Sequence, residues 1–434
     1  VPADYLELMI YASRLPELSA VERQKCLQVA KKVADNRLIY GLIDPLDGGA
    51  FIGKQGMTDA LPVFTKTLRT QAMSMRALYK LYQTTRDETY RNAADSIFSY
   101  TQKHHLMENG SYALGISYLP ENPQDQPCLF ANDEIKAALS PEEYELARQA
   151  YELRSLGNVP LIDDPKKVYF KKNSLTWKLS LAELSKRTGM GRAPLTKSLE
   201  NITTKLSALR SQKPVQPIIE KLSTASATAL YSSACTSGYR ATGEASYLEA
   251  AKKTLSQIRD QFVGENGTLH RARYNDNLLD IPAKGIDYTR VCQAALDLHE
   301  ATLDPAWLDF AYSMHKQMLE RLGILETGII KEHDGTGYPK DYNVCSYYTT
   351  NALNNDNTCA LAQSNARRLA MRLGDTSLSQ HAEKLGAVMD QTARISPIAA
   401  MDYLSLESAA RSQIVYIKLP ASEPMLATAR KELC

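Results

Sequence analysis

Two acidic residues, Glu220 and Asp287, could carry out acid/base chemistry if folding brings them face to face. Two carboxyl groups on either side of a sugar can work together, one protonating a leaving group while the other activates water. Asp287 and Glu220 are therefore the candidate catalytic residues. A structural role also suits them, in which Glu220 caps a helix that starts near Lys221 and Asp287 caps one that starts near Tyr288.

Further candidates come just before, or within, the starts of predicted helices. These candidate pocket residues are Lys66, Lys221, Tyr288 and Asn357. In a ring of helical hairpins, the N-terminal ends of the inner helices face a central pocket, which is why these positions matter. No metal or other cofactor is predicted, because the sequence has no HExxH motif, no paired CxxC motif, no carboxylate cluster and no phosphate-binding loop.

A repeated pattern predicts how these residues are positioned. An acidic residue, a large apolar residue three positions later and an alanine four positions after that recur along the chain. The copies are Asp87-Tyr90-Ala94, Glu244-Tyr247-Ala251, Asp304-Trp307-Ala311 and Asp375-Leu378-Ala382. Each copy lies between two apolar runs with helical spacing, which is typical of stacked helical hairpins. The acidic residue can cap the second helix, and the alanine lets that helix pack closely on its partner.

The hairpins predict an all-α fold, an (α/α)6 toroid that makes residues 1–434 a single domain. We count about six hairpins, with turns near residues 17, 86, 244, 304 and 375 and a last one after Ser396. Two parts of the chain depart from the repeat. Residues 112–222 are predicted to form an elaborated helical insertion, and residues 413–434 a terminal strand and helix.

The insertion contains a basic stretch. Between Lys166 and Lys213 there are twelve Lys or Arg residues and only two acidic residues, Glu183 and Glu200. The stretch is either a polyanion-binding face or a set of solvated helices, and the scarcity of aromatic residues for stacking on bases favours the helices. Because the whole chain has a net charge of only +2, we expect no nucleic-acid partner.

The composition is that of an ordinary globular protein, with 434 residues, 44% hydrophobic and 23% charged. No apolar run is long enough to span a bilayer, so no membrane span is predicted. Seven scattered cysteines favour a reducing compartment such as the cytoplasm. The chain begins with Val1, so removal of an upstream segment, including a signal peptide, also fits.

Several short segments resemble one protein family. They include Gly48-Gly49-Ala50-Phe51, Pro62-Val63-Phe64-Thr65-Lys66, Glu220-Lys221-Leu222-Ser223-Thr224, Ile286-Asp287-Tyr288 and Asp356-Asn357-Thr358. Over nearly the whole chain, the order of elements is similar to the C-terminal toroid of the YyaL-like proteins, also called spermatogenesis-associated thioredoxin-domain proteins. That toroid is of the N-acylglucosamine 2-epimerase or six-hairpin glycosidase type and follows a thioredoxin-like domain. The resemblance implies the same toroid here, with Phe64 as a further pocket residue.

The chain departs from the family pattern at polar pocket positions. Apolar residues stand there instead, namely Ile52, Val63, Ala225 and Ala227, and the chain contains no thioredoxin-like domain. Loss of one catalytic group typically lowers a rate by orders of magnitude, so several losses together argue against the family's chemistry. A fold that has lost its chemistry can still bind a ligand.

Three functions follow as hypotheses. The first, which the sequence favours, is a non-catalytic or degenerate toroid that acts as a binding or assembly subunit for a protein partner, its centre emptied of reactive groups. The second is a carbohydrate-active enzyme, a sugar epimerase, isomerase or glycoside hydrolase, that uses Asp287 and Glu220 on a small carbohydrate. The third is a partner of a separate thioredoxin-like domain.

Overall fold

The computed structural model describes residues 2–324, 326–335, 357–397 and 400–411. These residues contain fifteen α-helices and ten strands of only two or three residues. The first eight helices are α1 (Pro2–Ala12), α2 (Ala20–Val33), α3 (Leu68–Thr85), α4 (Glu88–His104), α5 (Asn132–Ala138), α6 (Pro141–Tyr151), α7 (Leu181–Thr188) and α8 (Arg192–Ser211). The remaining seven are α9 (Ala225–Thr242), α10 (Ala245–Gln261), α11 (Gly285–Thr302), α12 (Pro305–Leu322), α13 (Thr358–Leu373), α14 (Thr376–Ile395) and α15 (Met401–Arg411).

The repeated acidic residues begin the second helix of each hairpin, as predicted. Asp87, Asp304 and Asp375 are the N-caps of α4, α12 and α14, and each accepts a hydrogen bond from a backbone N–H of the first turn. Glu244 occupies the same place before α10, but its side chain makes no such bond to the described residues. The large apolar residue and the alanine of every copy are buried, so both serve the packing of the hairpin.

Six helices form a closed inner ring. In order around the ring they are α1, α3, α9, α11, α13 and α15, and α15 packs back on α1. The outer helices α2, α4, α10, α12 and α14 each pack on the inner helix of their own hairpin. This arrangement confirms the predicted (α/α)6 toroid. The terminal strand and helix predicted for residues 413–434 lie outside the described residues.

Close packing joins neighbouring hairpins of the ring. Asp95 of α4 accepts hydrogen bonds from the hydroxyl of Tyr79 on α3 at 2.8 Å and from that of Tyr247 on α10 at 2.7 Å. Gly238 of α9 leaves room for both rings, because a Cβ there would lie 2.9 Å from the Tyr79 ring and 3.1 Å from the Tyr247 ring. A glycine inside a helix costs conformational entropy, and here it permits the close approach.

Most of the strands lie where the chain enters inner helices. They are β1 (Lys54–Gln55), β2 (Leu61–Pro62), β3 (Thr65–Thr67), β4 (Gly115–Ser117), β5 (Leu129–Ala131), β6 (Lys172–Ser174), β7 (Ile218–Glu220), β8 (Leu222–Thr224), β9 (Ala272–Tyr274) and β10 (Asn277–Leu278). The orders β3-β4-β7 and β10-β9-β8 form two antiparallel sheets, whereas β5 and β6 pair with each other within the insertion. Because β3 leads into α3 and β8 into α9, these sheets lie at the N-terminal ends of the inner helices.

The segment between α4 and α9 forms α5 to α8 around a core of its own. Its buried side chains are Phe130, Ile135, Leu139, Leu146, Ala147, Ala150, Tyr151, Leu153, Leu175, Leu184, Leu195, Leu199, Ile202 and Leu206, joined by Leu46 from the loop after α2. Most basic residues of α7 and α8 are exposed around this core, as expected for solvated helices. Strand β4 pairs with β3 of the ring side on one edge and with β7 on the other. The single-domain organisation and the boundary at 112–222 stay predictions.

Candidate functional site

Asp287 lies in the first turn of α11 and caps that helix. Its Oδ2 accepts hydrogen bonds from the backbone N–H of Lys284 at 3.0 Å and from Nη1 of Arg271 at 3.1 Å. Its Oδ1 accepts one from the backbone N–H of Ser226 at 3.2 Å. The side chain is fully buried, so both carboxylate oxygens are occupied by structural donors. The helix begins three residues before Tyr288, slightly earlier than the capping alternative places it.

Glu220 lies on the exposed strand β7, away from any helix start. The predicted cap of a helix from Lys221 is wrong, because β8 follows and α9 begins only at Ala225. The Glu220 side chain accepts one hydrogen bond, from the backbone N–H of Leu222 at 3.4 Å, and Lys221 beside it is exposed. The carboxylates of Glu220 and Asp287 share no hydrogen-bond partner among the described residues.

Lys66 lies on β3 and is completely buried between acidic and aromatic side chains. Its Nζ donates to Oδ2 of Asp44 at 2.8 Å and to the two oxygens of Asp47 at 2.6 and 2.8 Å. The same nitrogen lies 4.5 Å from the ring centre of Phe51 and 4.7 Å from that of Tyr100, within the range of cation–π attraction. Burial alone would lower the pKa of Lys66, but the two carboxylates raise it above its usual value.

Arg210, near the end of α8, binds the same two carboxylates. Its Nη1 lies 2.6 Å from Oδ2 of Asp44 and its Nη2 lies 2.9 Å from Oδ2 of Asp47. Burial would raise the pKa of Asp44, but Arg210 and Lys66 lower it below its usual range, so this carboxyl group is ionised and cannot donate a proton at neutral pH. We call Asp44, Asp47, Lys66 and Arg210 the charge cluster, and its formal charges sum to zero.

Local backbone geometry fixes the loop that carries both aspartates. Gly48 has φ of +83°, which favours glycine, and a Cβ there would collide with Ser96 of α4. A Cβ on Gly49 would lie 2.5 Å from the ring of Tyr100. Oδ1 of Asp47 accepts a hydrogen bond from the backbone N–H of Gly49 at 3.0 Å. The Gly48-Gly49 turn therefore holds Asp47 toward Lys66.

The three remaining predicted pocket residues are buried as packing or capping residues. The ring of Phe64 meets that of Phe51 edge to face, with ring centres 6.2 Å apart. Tyr288 is fully buried on α11. Asn357 caps α13, accepting a hydrogen bond from the backbone N–H of Ala360 at 3.0 Å. Packing thus accounts for Phe64 and capping for Asn357.

A cavity of about 680 Å³ opens between the loop at residues 43–48, the C-terminal half of α4, and α8. Its polar side includes Asp44, Asp47 and Arg210, and its aromatic side includes Tyr100, Tyr118 and Trp177. None of the seven site residues predicted from the sequence is among the described residues that line it. Lys66 lies immediately behind it, bonded to the two aspartates.

Sequence reasoning missed this cavity and the partners of Lys66. The two parts that form it, the Gly48-Gly49 turn and the basic stretch, are both evident in the sequence, but Arg210 contacts Asp44 across 166 residues of chain. One signal points to the cluster. Asp residues are almost never fully buried unless paired, so an aspartate beside a tight apolar turn implies a cation elsewhere in the chain.

Ionised side chains also lie between the inner helices. Glu7 of α1 pairs with Arg76 of α3 at 2.6 Å, and Glu300 of α11 pairs with Arg368 of α13 and Arg240 of α9, both at 3.1 Å. Burial raises the pKa of both glutamates, but the neighbouring cations outweigh it and lower each to about 2. These charges are paired with one another, and the absence of reactive groups from the centre stays a prediction.

The sequence is similar to that of Spermatogenesis-associated protein 20 from Homo sapiens. The two are 24% identical over an alignment of 291 residues, and the match covers 58% of this chain and 35% of that protein. The chain is a homologue of Spermatogenesis-associated protein 20. It matches only about a third of that relative's length. No family model matches the chain.

Solved structures share the toroid fold. A sugar epimerase from a ruminal bacterium has a TM-score of 0.55 and 13% identity, covering 95% of this chain and 88% of its own. Cellobiose 2-epimerase from Bacillus thermoamylovorans has a TM-score of 0.55 and 10% identity, covering 94% and 87%. A GH76 α-mannanase from Bacteroides thetaiotaomicron has a TM-score of 0.53 and 10% identity, covering 95% and 86%. At these identities the likeness concerns the fold alone, and it agrees with the predicted toroid.

Two general features of the described residues bear on binding. None of their helices is long and apolar enough to cross a membrane. Their His, Cys, Asp and Glu side chains form no group of three or more that could hold a metal ion.

Proposed function

We propose that this chain is a catalytically degenerate toroid that acts as a binding or assembly subunit. Its partner is a protein, such as a separately supplied thioredoxin-like domain, or a small carbohydrate. One observation carries the proposal: the buried carboxylate of Asp287 accepts hydrogen bonds from Ser226, Lys284 and Arg271. An acid or base must exchange a proton with a substrate, and a carboxylate with both oxygens held by structural donors is poorly placed to do so.

The other ionised groups of the site support the same conclusion. Glu220 is exposed on a strand, without the enclosed surroundings that a catalytic acid usually has. Asp44 and Asp47 are each bonded to Lys66 and Arg210. These contacts favour a static role for both aspartates, in which they hold the insertion against the ring.

A carbohydrate-active enzyme that uses Asp287 and Glu220 is the second candidate. The fold favours it, because structures of similar fold are named as a sugar epimerase, a cellobiose 2-epimerase and an α-mannanase. Those activities define which reactions a test must cover.

The test is a search for turnover, paired with a stability measurement. Purified protein is incubated with glucose, mannose, cellobiose and an α-mannan oligosaccharide, and the anomeric protons are followed by NMR. We expect no epimer and no hydrolysis product. The Asp287→Asn variant should lose about 1–3 kcal/mol of unfolding free energy, because a charged acceptor of three hydrogen bonds is neutralised. Asp280→Asn, which changes an exposed residue of the preceding loop, is the matched control.

Product formed by the wild-type protein and abolished by Asp287→Asn, with stability unchanged, would establish the enzyme instead. Turnover that persists in Asp287→Asn would also overturn the degenerate toroid, and would remove this residue from the mechanism.

A further inference from the structure

Four lysines at the start of the basic stretch lie in a loop, away from the solvated helices α7 and α8. We call residues 156–172, which lead from α6 into β6, the lysine loop, and its lysines are Lys166, Lys167, Lys171 and Lys172. The first three are exposed, and none of the four forms an ion pair with a described residue. The solvation of helices does not explain these four charges.

The two acidic residues of the lysine loop are held by hydrogen bonds. Asp164 is buried, and its carboxylate accepts hydrogen bonds from the backbone N–H of Val168 at 2.7 Å and from that of Tyr169 at 2.6 Å. Asp163 accepts one from the backbone N–H of Thr58 at 3.0 Å and another from the hydroxyl of the same residue. With four lysines against two carboxylates, the loop carries a net positive charge.

Two of the lysines occupy backbone positions that do not suit a lysine. Lys167 has φ of +56° and Lys171 has φ of +64°, in the left-handed region that glycine and asparagine adopt more readily. Asparagine would fit the same two positions with less strain, so the fold alone does not call for lysine there. A charged side chain that strains the local backbone points to a role in binding.

Exposed apolar side chains accompany these lysines. We call Met57, Leu156, Leu161, Ile162 and Phe170 the apolar patch, and the exposed fractions of its members lie between 46% and 81%. Contiguous exposed apolar surface of this kind, rimmed by polar residues, marks a site of contact with a protein or a membrane.

Hydrogen bonds connect the parts of the apolar patch. The bonds between Thr58 and Asp163 place the loop that carries Met57 against the turn that carries Leu161 and Ile162. The backbone N–H of Lys171, beside Phe170, donates to the carbonyl of Leu156 at 3.2 Å. The patch is therefore formed by adjoining loops.

The opposite side of the lysine loop is anchored to the protein. Val159 and Tyr169 pack against a buried cluster that includes Phe51, Phe64 and Tyr118. The exposed side chains thus project from a backbone that is already fixed, and little further ordering of the loop is required when they bind a partner.

Acidic residues also lie near the apolar patch. Asp59 and Glu152 each form an exposed ion pair, with Arg37 and Arg154 respectively. Residues 121–125 carry two further exposed acidic residues. The positive surface is therefore confined to the lysine loop itself, and its attraction for an anion acts only at close approach.

The residue types favour a lipid surface as the partner. Protein interfaces are depleted in lysine and enriched in tyrosine, tryptophan and arginine, whereas the exposed residues of the lysine loop include three lysines and none of those three types. A nucleic acid would pair with the lysines but would leave the apolar side chains in water. An anionic bilayer offers negative headgroups to the lysines and, just beneath them, an apolar layer to the patch.

We propose that the lysine loop and the apolar patch dock on the surface of an anionic lipid bilayer. The ammonium groups of Lys166, Lys167 and Lys171 meet the headgroups, while the apolar side chains enter the interface. The contact is peripheral, and it is independent of the function proposed above.

The test is cosedimentation of the full chain with vesicles of equal parts phosphatidylcholine and phosphatidylserine, compared with vesicles of phosphatidylcholine alone. The wild type should bind only the anionic vesicles, and less tightly as the salt concentration rises, because salt screens exposed charges.

The double variant Lys167→Asn/Lys171→Asn tests the charges. It should bind anionic vesicles at least about tenfold more weakly, since each lysine near such a surface contributes about fivefold. It should be at least as stable as the wild type, because asparagine suits both backbone positions. Lys25→Gln/Lys253→Gln is the control, since it removes two exposed lysines from the outer helices α2 and α10.

The double variant Leu161→Ser/Ile162→Ser tests the apolar side chains. It should also weaken binding at least about tenfold, because two side chains no longer leave water. Its control is Met371→Ser/Ile395→Ser, which changes two exposed apolar residues of α13 and α14. Both controls should bind anionic vesicles as the wild type does.

The proposal is overturned if the wild type does not bind anionic vesicles, or if either test variant binds them as well as its control. Loss in the lysine variant alone, together with binding of heparin, would identify a general polyanion site instead. Analytical ultracentrifugation covers the remaining occupant. If the apolar variant turns a dimer into a monomer and still binds vesicles, the patch is a contact between two copies of this chain.

Discussion

At the scale of single residues, the charge cluster is the most consequential feature. Lys66 has no exposed side-chain surface, and Asp44 has only 4%. Removing charges from water is costly, and the mutual attraction of the pairs offsets that cost only while all partners are present. The cluster therefore makes the loop, strand β3 and the end of α8 depend on one another.

The Lys66→Met variant should unfold far more easily than the wild type. It leaves two buried aspartates facing Arg210 alone, so we expect a loss of about 3–5 kcal/mol in unfolding free energy. Urea denaturation followed by circular dichroism measures it. Arg37→Met is the control, because the Arg37–Asp59 pair is exposed and such surface pairs contribute only about 0–1 kcal/mol. Equal losses in the two variants would show that the buried cluster contributes no more to the unfolding free energy than an exposed ion pair does.

The pH dependence of stability should depend on His315. This residue of α12 lies against His381 of α14, with ring centres 5.6 Å apart, and neither of its ring nitrogens has a partner among the described residues. Burial, with a smaller effect of His381, lowers the pKa of His315 to about 3. The unfolded chain thus takes up this proton first, at its ordinary pKa near 6.5. Through His315, the free energy of unfolding should fall as the pH drops from about 6.5 toward 3. Above that window His315 should not change it.

His315→Leu removes this proton uptake. Between pH 7 and pH 5 the wild type should lose about 2 kcal/mol more unfolding free energy than the variant, since each pH unit below 6.5 costs about 1.4 kcal/mol. Urea unfolding at pH 7, 6 and 5 gives the comparison. Parallel pH profiles for the two proteins would mean that His315 titrates normally.

The sequence predicts the roles of single residues only in part. Asp287 was assigned both a catalytic and a capping role, and the structure displays the cap, because a cap depends on residues next to it in the chain. Lys66 is a predicted pocket residue, but its two acidic partners lie 19 and 22 residues away in the chain. Pairing between such distant groups follows from the fold and leaves no local pattern in the sequence.

At the scale of elements, short local sequence patterns predict the turns of the hairpins correctly. The turns predicted near residues 86, 244, 304 and 375 are the turns observed, since an acidic N-cap and a glycine or other left-handed residue before it act within a few positions. Strand β7 was not predicted, because its three residues are exposed and carry no alternation. The wrong helix start at Lys221 follows from that omission.

Gly238→Ala should destabilise the ring although alanine is the better helix former. The new methyl group would meet Tyr79 and Tyr247, whose hydroxyls are both tied to Asp95, so neither ring can move freely. Overpacking of this kind costs about 1–3 kcal/mol. The control is Gly386→Ala on α14, where the nearest described atom lies at an ordinary 3.6 Å and a gain of about 0.5–1 kcal/mol is expected. Thermal unfolding distinguishes them, and a gain in both would contradict the tight contact.

At the scale of the whole molecule, the ring and the insertion have separate hydrophobic cores. The number of hairpins made the ring predictable, because repeats of one kind close in a regular way. The position of α8 against the loop at residues 43–48 was not predictable, because it depends on contacts between distant parts of the chain. The cavity forms because α8 lies against this loop.

Leu206→Ala should loosen the insertion without loosening the ring. Leu206 is fully buried in the second core, and truncating such a leucine costs about 2–5 kcal/mol. Hydrogen exchange measured by mass spectrometry should show faster exchange throughout α5 to α8 and unchanged exchange in α9, α11 and α13. Leu296→Ala, in the ring core, should accelerate exchange in the inner helices. Uniform acceleration by Leu206→Ala would mean that the two cores unfold as one.

The contact between α1 and α15 has a consequence for biosynthesis. Helix α1 leaves the ribosome nearly 400 residues before the helix that covers one of its sides. At translation rates of about 5–20 residues per second, that interval is roughly 20–80 seconds. During this time Leu6 and Ile10, which are fully covered in the finished protein, have only part of their final surroundings. This apolar segment of the nascent chain is thus incompletely covered until α15 has been made, which makes it a natural client for chaperones that act on ribosome-bound chains.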